Sequence, residues 1–152
     1  MKYLLGLVAT IVLGINLAYA QGIYKLTANI DYDTAHKRVY AALEEQRFYV
    51  LDEINIGQSL ARFKDRWKDY NENELENLQV MVICNGWFAN KVGNADPDML
   101  ALCPMRVTLH HKAGVTTVLF AKPSTFAAES KALPILQEAE GDVIKAIESA
   151  LK

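Results

Sequence analysis

Residues 105–122 read MRVTLHHKAGVTTVLFAK, and this stretch decides the fold. Met105, Val107, Leu109 and His111 alternate with Arg106, Thr108 and His110, the two-residue period of a strand with one face toward a core. Lys112-Ala113-Gly114 makes a turn, and VTTVLFAK returns as the second strand of a hairpin. The sheet built around that hairpin is expected to be mostly antiparallel.

Toward the N-terminus, LQVMVIC (78–84) is apolar at almost every position, which in so short a run predicts a strand covered on both faces. Asn85-Gly86 is a turn, Trp87 to about Ala95 a short helix, and DPD breaks it at Pro97. DYNENELEN (69–77) is a polar, acidic loop. FYVLDEINIG gives a strand from Phe48 to Ile56 closed by Gly57, and QSLARFKDRW (58–67) a short helix presenting Leu60, Phe63 and Trp67. IYKLTANIDY (23–32) alternates as a half-buried strand. Asp33 is the expected N-cap of a helix from about Thr34 to Gln46, with Ala35, Val39, Ala42 and Leu43 as its apolar stripe. On the C-terminal side, a helix from about Leu133 to Leu151 turns Val143, Ile144, Ile147 and Leu151 inward. Pro134 sits in its first turn and Gly141 is a point of bending. This order predicts a single compact α+β domain, a mostly antiparallel sheet covered by helices.

The first residues, MKYLLGLVATIVLGINLAYAQG, combine Lys2, an apolar run from Leu4 to Leu17, and Ala18-Tyr19-Ala20 before Gln21, the pattern of a cleaved signal peptide. The run is shorter than the ~20 residues that span a bilayer, so no stable membrane insertion is expected. Residues 1–20 are thus read as the signal peptide, residues 21–152 as the domain, and the periplasm as its compartment. Without Lys2 the chain carries 15 basic against 18 acidic side chains, a net −3, with no Lys/Arg cluster. That balance excludes nucleic acid, whose partners need a basic stripe.

Cys84 and Cys103 are the only cysteines, an even pair in an oxidising compartment. On parallel strands they would lie ~20 Å apart, and on antiparallel strands they would return to one end, within reach of a disulfide. A bridge and two space-filling thiols both stand at this point. Cys84, Cys103 and Met105 are a weak metal set for Cu(I), with Met81, Met99 and the histidines nearby in sequence. Against it, the spacing matches no known motif, and His110 and His111 point to opposite faces. Cys84 with a histidine and Glu53 can be drawn as a nucleophile, base and orienting carboxylate, yet Glu53 is equally placed to pair with Arg106 or Lys122. His36 and His110 read as solvated surface. Cys84, Asn85, Trp87, Phe88 and the segment before Pro104 would gather where the buried strand ends, as apolar walls with a few polar groups.

Four blocks, DTAHKRVYAALEEQRFYVLDEINI (33–56), VMVICNGWFANKV (80–92), LALCPMRVTLHH (100–111) and FAKPSTF (120–126), resemble the DUF302 family of small α+β domains of unassigned function. The family pattern Cys-Asn-Pro appears here as Cys84-Asn85-Gly86. Its Leu-Leu-Pro-Cys-Arg-Val appears with Met105 in place of the cysteine and Cys103 one step before Pro104. The resemblance implies a domain that pairs into homodimers and supplies no substrate. Together these readings predict a periplasmic, non-catalytic binding or accessory protein for a small ligand or a periplasmic protein, without a cofactor. Cys84, Asn85, Trp87, Phe88, Arg106 and Glu53 are its candidate contacts. The alternative is a thiol- or metal-linked redox role of Cys84 and Cys103.

Overall fold

The 105–122 hairpin forms as the alternation predicts: β4 (Met105–Lys112) pairs with β5 (Val115–Ala121) from Val107 opposite Phe120 to Lys112 opposite Val115. Ala113 and Gly114 close it, both at positive φ, 50° and 79°. Two successive left-handed residues match the twist of the flanking strands. The computed structural model describes residues 22–152, so the signal-peptide reading of residues 1–20 lies outside the described residues. β1 (Ile23–Ala28), β2 (Tyr49–Asn55) and β3 (Asn77–Cys84) complete a five-stranded sheet in the order β1-β5-β4-β3-β2, every neighbouring pair antiparallel.

One face of the sheet is covered by α1 (Tyr32–Glu45) and α4 (Leu133–Leu151). Met81, Ile83, Val107, Leu109, Val118 and Phe120 point from the strands into this layer. Val39 and Leu43 of α1 and Val143 and Ile147 of α4 meet them, all fully buried. Each such side chain contributes about 1.5–3 kcal/mol by leaving water. The opposite face stays open, with Ile23, Tyr49 and Ile54 exposed by 38%, 54% and 45%.

β3 departs from the expected strand covered on both faces, because its second face is covered only in part. Met81 and Ile83 are covered by helices, whereas Val80 is buried and Val82 half-buried on the open side. The α1 cap also shifts: Asp31, not Asp33, accepts from the Thr34 amide at 2.9 Å, and Asp33 falls within the first turn. A turn from the Ala28 carbonyl to the Ile30 amide ends β1 early and leaves Asp31 with the extended backbone that a cap needs. At the outer edge of the sheet, β2 slips register between Val50 and Asp52, leaving Leu51 in a bulge.

Candidate functional site

Antiparallel pairing of β3 with β4 brings Cys84 and Cys103 to one end of the sheet. Ile83 lies opposite Met105, and the chain before Met105, with a cis Cys103–Pro104 peptide, runs past the end of β3. Asn85 is no loose turn residue. Its Oδ1 accepts from the Trp87 and Phe88 amides at 3.0 and 3.3 Å and so caps α3 (Gly86–Ala95). Gly86 lacks a positive φ, and a Cβ there would meet nothing within 4 Å. Phe88 turns into the core and stacks on Phe48, with 5.8 Å between ring centroids. Trp87 faces outward, 56% exposed, beneath the Lys91 ammonium at 3.9 Å.

Cys84, Asn85, Phe88, Cys103 and Met105 thus meet in one crevice, whose free volume is about 10 Å³. That is room for roughly one water. Both cysteines are free thiols, so the disulfide left open by the sequence is not formed. Burial pushes the Cys103 thiol up, and neighbouring Cys84 adds to the shift. Among the described residues no group of three or more His, Cys, Asp or Glu side chains is placed to hold a metal ion.

The remaining predicted contacts lie elsewhere. Arg106 is exposed on the open face of the sheet. Glu53 engages neither Arg106 nor Lys122: its Oε2 lies 2.5 Å from Nε2 of His36 and also accepts from the Gln79 amide. Tyr32 donates to Gln79 Oε1 at 3.2 Å, which ties α1 to β2 and β3. Burial first, then the Glu53 and Asp33 carboxylates, push the Tyr32 hydroxyl up to about 12, so it stays a donor across neutral pH. His36 is accordingly a partner in this network rather than solvated surface. His110 is half-buried, its Nδ1 without a hydrogen-bond partner among the described residues. His111 is buried on the other face, its Nδ1 2.8 Å from the Thr116 hydroxyl, which donates to the Ile30 carbonyl.

Ligand-sized space lies at the opposite end of β3, ~20 Å from Cys84 at ~3.3 Å per residue. There a cavity of about 430 Å³ opens between α2 (Ile56–Ala61), the start of β3 and the segment that joins them. Small-ligand pockets run from roughly 300 to 1,000 Å³. Leu60, Leu75, Leu78 and the Tyr70 ring give it apolar walls. Asn55 caps α2 through the Gln58 amide at 2.7 Å, and Asn71 bonds both the amide and the carbonyl of Leu75 at 2.9 Å. Glu76 is pinned by the Ala113 amide at 3.0 Å and by His111 at 3.6 Å. The side-chain amides of Gln58 and Asn77 and the Tyr70 hydroxyl make no hydrogen bond among the described residues, so they line the cavity with unused donors and acceptors. Sequence reading missed this site because DYNENELEN has no periodicity. Its only local signal is the density of Asn, the side chain that best bonds its own backbone.

A family model described as "Domain of unknown function DUF302" matches residues 24–150. No curated protein matches the chain. Among solved structures, the "Crystal structure of uncharacterized conserved protein DUF302 from Bacillus stearothermophilus" is similar over 87% of this chain and 97% of that one. Its sequence is 19% identical and the TM-score is 0.67, a likeness of fold.

Proposed function

The chain belongs to the DUF302 family, and from its own geometry we propose that it is a periplasmic, non-catalytic binding protein that works as a homodimer. The cavity at the α2 end of the sheet carries this reading: 430 Å³ with apolar walls and three uncommitted polar groups suits a small, uncharged polar molecule. The amides and the phenol orient such a ligand by hydrogen bonds, and the leucines take its apolar face. Among the described residues no Ser, Thr, Cys, Lys or His side chain lines this cavity, and Glu76 is already committed, which favours binding over turnover. The signal-peptide pattern supports the compartment. Ile23, Tyr49 and Ile54 on the open sheet face support self-association, since aromatic and aliphatic side chains are enriched at interfaces.

Native mass spectrometry of protein purified from its own periplasm reads subunit number, bound metal and retained ligand together. A dimer that carries a small organic molecule, lost in Gln58→Trp where the new ring fills the cavity but kept in Cys84→Ser, is the expected result. A ligand kept in Gln58→Trp and lost in Cys84→Ser sinks this reading. It would favour the second one, a thiol-linked redox role, which the two free thiols in one crevice support. The raised Cys103 thiol counts against that role, because the reactive species is the thiolate.

A further inference from the structure

We propose that residues 62–68 are a peripheral membrane-docking element, which lays Phe63 and Trp67 into the headgroup layer of an anionic bilayer with Arg62, Lys64, Arg66 and Lys68 against its phosphates. Every residue from 58 to 69 is exposed, the longest stretch of the described chain without a covered side chain. Backbone bonds from Phe63 to Leu60, Arg66 to Phe63 and Trp67 to Phe63 keep it helically wound, so Phe63 and Trp67 fall on one side. Phe63 and Trp67 stack with centroids 4.7 Å apart and planes 11° from parallel, yet remain 36% and 45% exposed. A stacked aromatic pair held in water without a core partner is costly unless something covers it.

Charge identifies the cover. Residues 62–69 hold four cations and two anions, a net +2 in a chain of −2, so the rest of the protein carries −4. None of Arg62, Lys64, Arg66 and Lys68 forms an ion pair among the described residues. Cations flanking Trp and Phe on one short helically wound surface are what binds at an anionic lipid interface, where the rings sit among headgroups and the long basic stems reach the phosphates. Among the described residues no helix is long and apolar enough to cross a membrane, so the element lies on the surface rather than spanning it. Because the cations alternate with aromatics and acids, the sequence shows no contiguous basic run.

The test uses the protein in a Trp87→Phe background, where Trp67 is the remaining tryptophan. Phosphatidylglycerol–phosphatidylethanolamine vesicles are expected to sediment the protein and shift Trp67 emission to the blue, and phosphatidylcholine vesicles to do neither. Phe63→Ser with Trp67→Ser should abolish sedimentation while circular dichroism stays unchanged. Arg62→Gln and Arg66→Gln should each weaken it about fivefold, and high salt should weaken it further. Equal sedimentation with both vesicle types, none with the anionic ones, or binding that survives loss of both rings would overturn the proposal. So would polyglutamate that binds as tightly as the vesicles and displaces them, which would assign the surface to a soluble polyanion.

Discussion

Asn85 Oδ1 accepts from the Trp87 and Phe88 amides at once, and this single side chain ties the end of β3 to the start of α3. Asn85→Ala removes both acceptor contacts and should lower stability by about 1 kcal/mol. Gly86→Ala should act oppositely, raising it by about 0.4–1 kcal/mol. The backbone there needs no positive φ and the added Cβ meets nothing, so the gain comes from a less free unfolded chain. Urea midpoints read both, and a Gly86→Ala midpoint below wild type would show that the junction depends on glycine.

Thr116 sits between His111 and the Ile30 carbonyl, and its hydroxyl serves both at 2.8 Å. Thr116→Val keeps the shape and leaves two polar groups without it, at a cost of about 1–3 kcal/mol. Thr116→Ser should recover most of that loss in thermal unfolding. A loss in Thr116→Ser with none in Thr116→Val would mean that the methyl group, not the hydroxyl, matters.

His110 titrates below its ordinary value of 6.5, chiefly because it is partly desolvated and secondarily because of Lys25. The folded state therefore binds this proton less readily than the unfolded chain. Its contribution is fully present above pH 6.5 and is lost as the pH falls through the lowered value. Melting temperatures of His110→Gln followed downward from pH 8 should decline less in that window than those of wild type; parallel curves would remove His110 as the source.

Cys103 is half-buried with its thiol pushed up, so at pH 8 it should alkylate with iodoacetamide more slowly than a free cysteine in solution, and normally once the chain is unfolded in guanidinium. Peptide mass mapping after timed quenching separates it from Cys84. Alkylation at the free-cysteine rate would mean that the crevice opens readily.

Asn71 holds the cavity wall with two bonds to Leu75 and adopts a φ of 49°, which asparagine tolerates better than alanine. Asn71→Ala should hasten proteolytic nicking between residues 62 and 76 with little change in global unfolding, because the segment joins the sheet only at its ends. Unchanged nicking would show that the wall is held by its leucines.

The alternation in 105–122, the apolar run 78–84 and the helical stripes of α1 and α4 were enough to anticipate an antiparallel sheet backed by helices, since periodicity reports which face meets a core. What stayed illegible depends on distance in sequence. His36 and Glu53 meet only because α1 packs beside β2, and nothing local distinguishes them from surface residues. The gathering of Cys84, Asn85 and Phe88 was legible from their position at a strand end, but the size of the space among them was not. It is set by how Phe88 and Leu136 fill the gap from two different helices. Asp31 and Asp33 were equally good caps on composition, and a single backbone turn after Ala28 chose between them.

The bulge at Leu51 reaches beyond β2 itself. An outer strand carrying Tyr49, Leu51 and Ile54 in water is a template on which another chain could lay its own backbone. Breaking the ladder between Val50 and Asp52, with the Asp52 and Glu53 carboxylates beside the break, denies an incoming strand a continuous register. The irregular border of β2 is thus a poor template for a sixth strand, which guards the exposed edge of the sheet against polymerising.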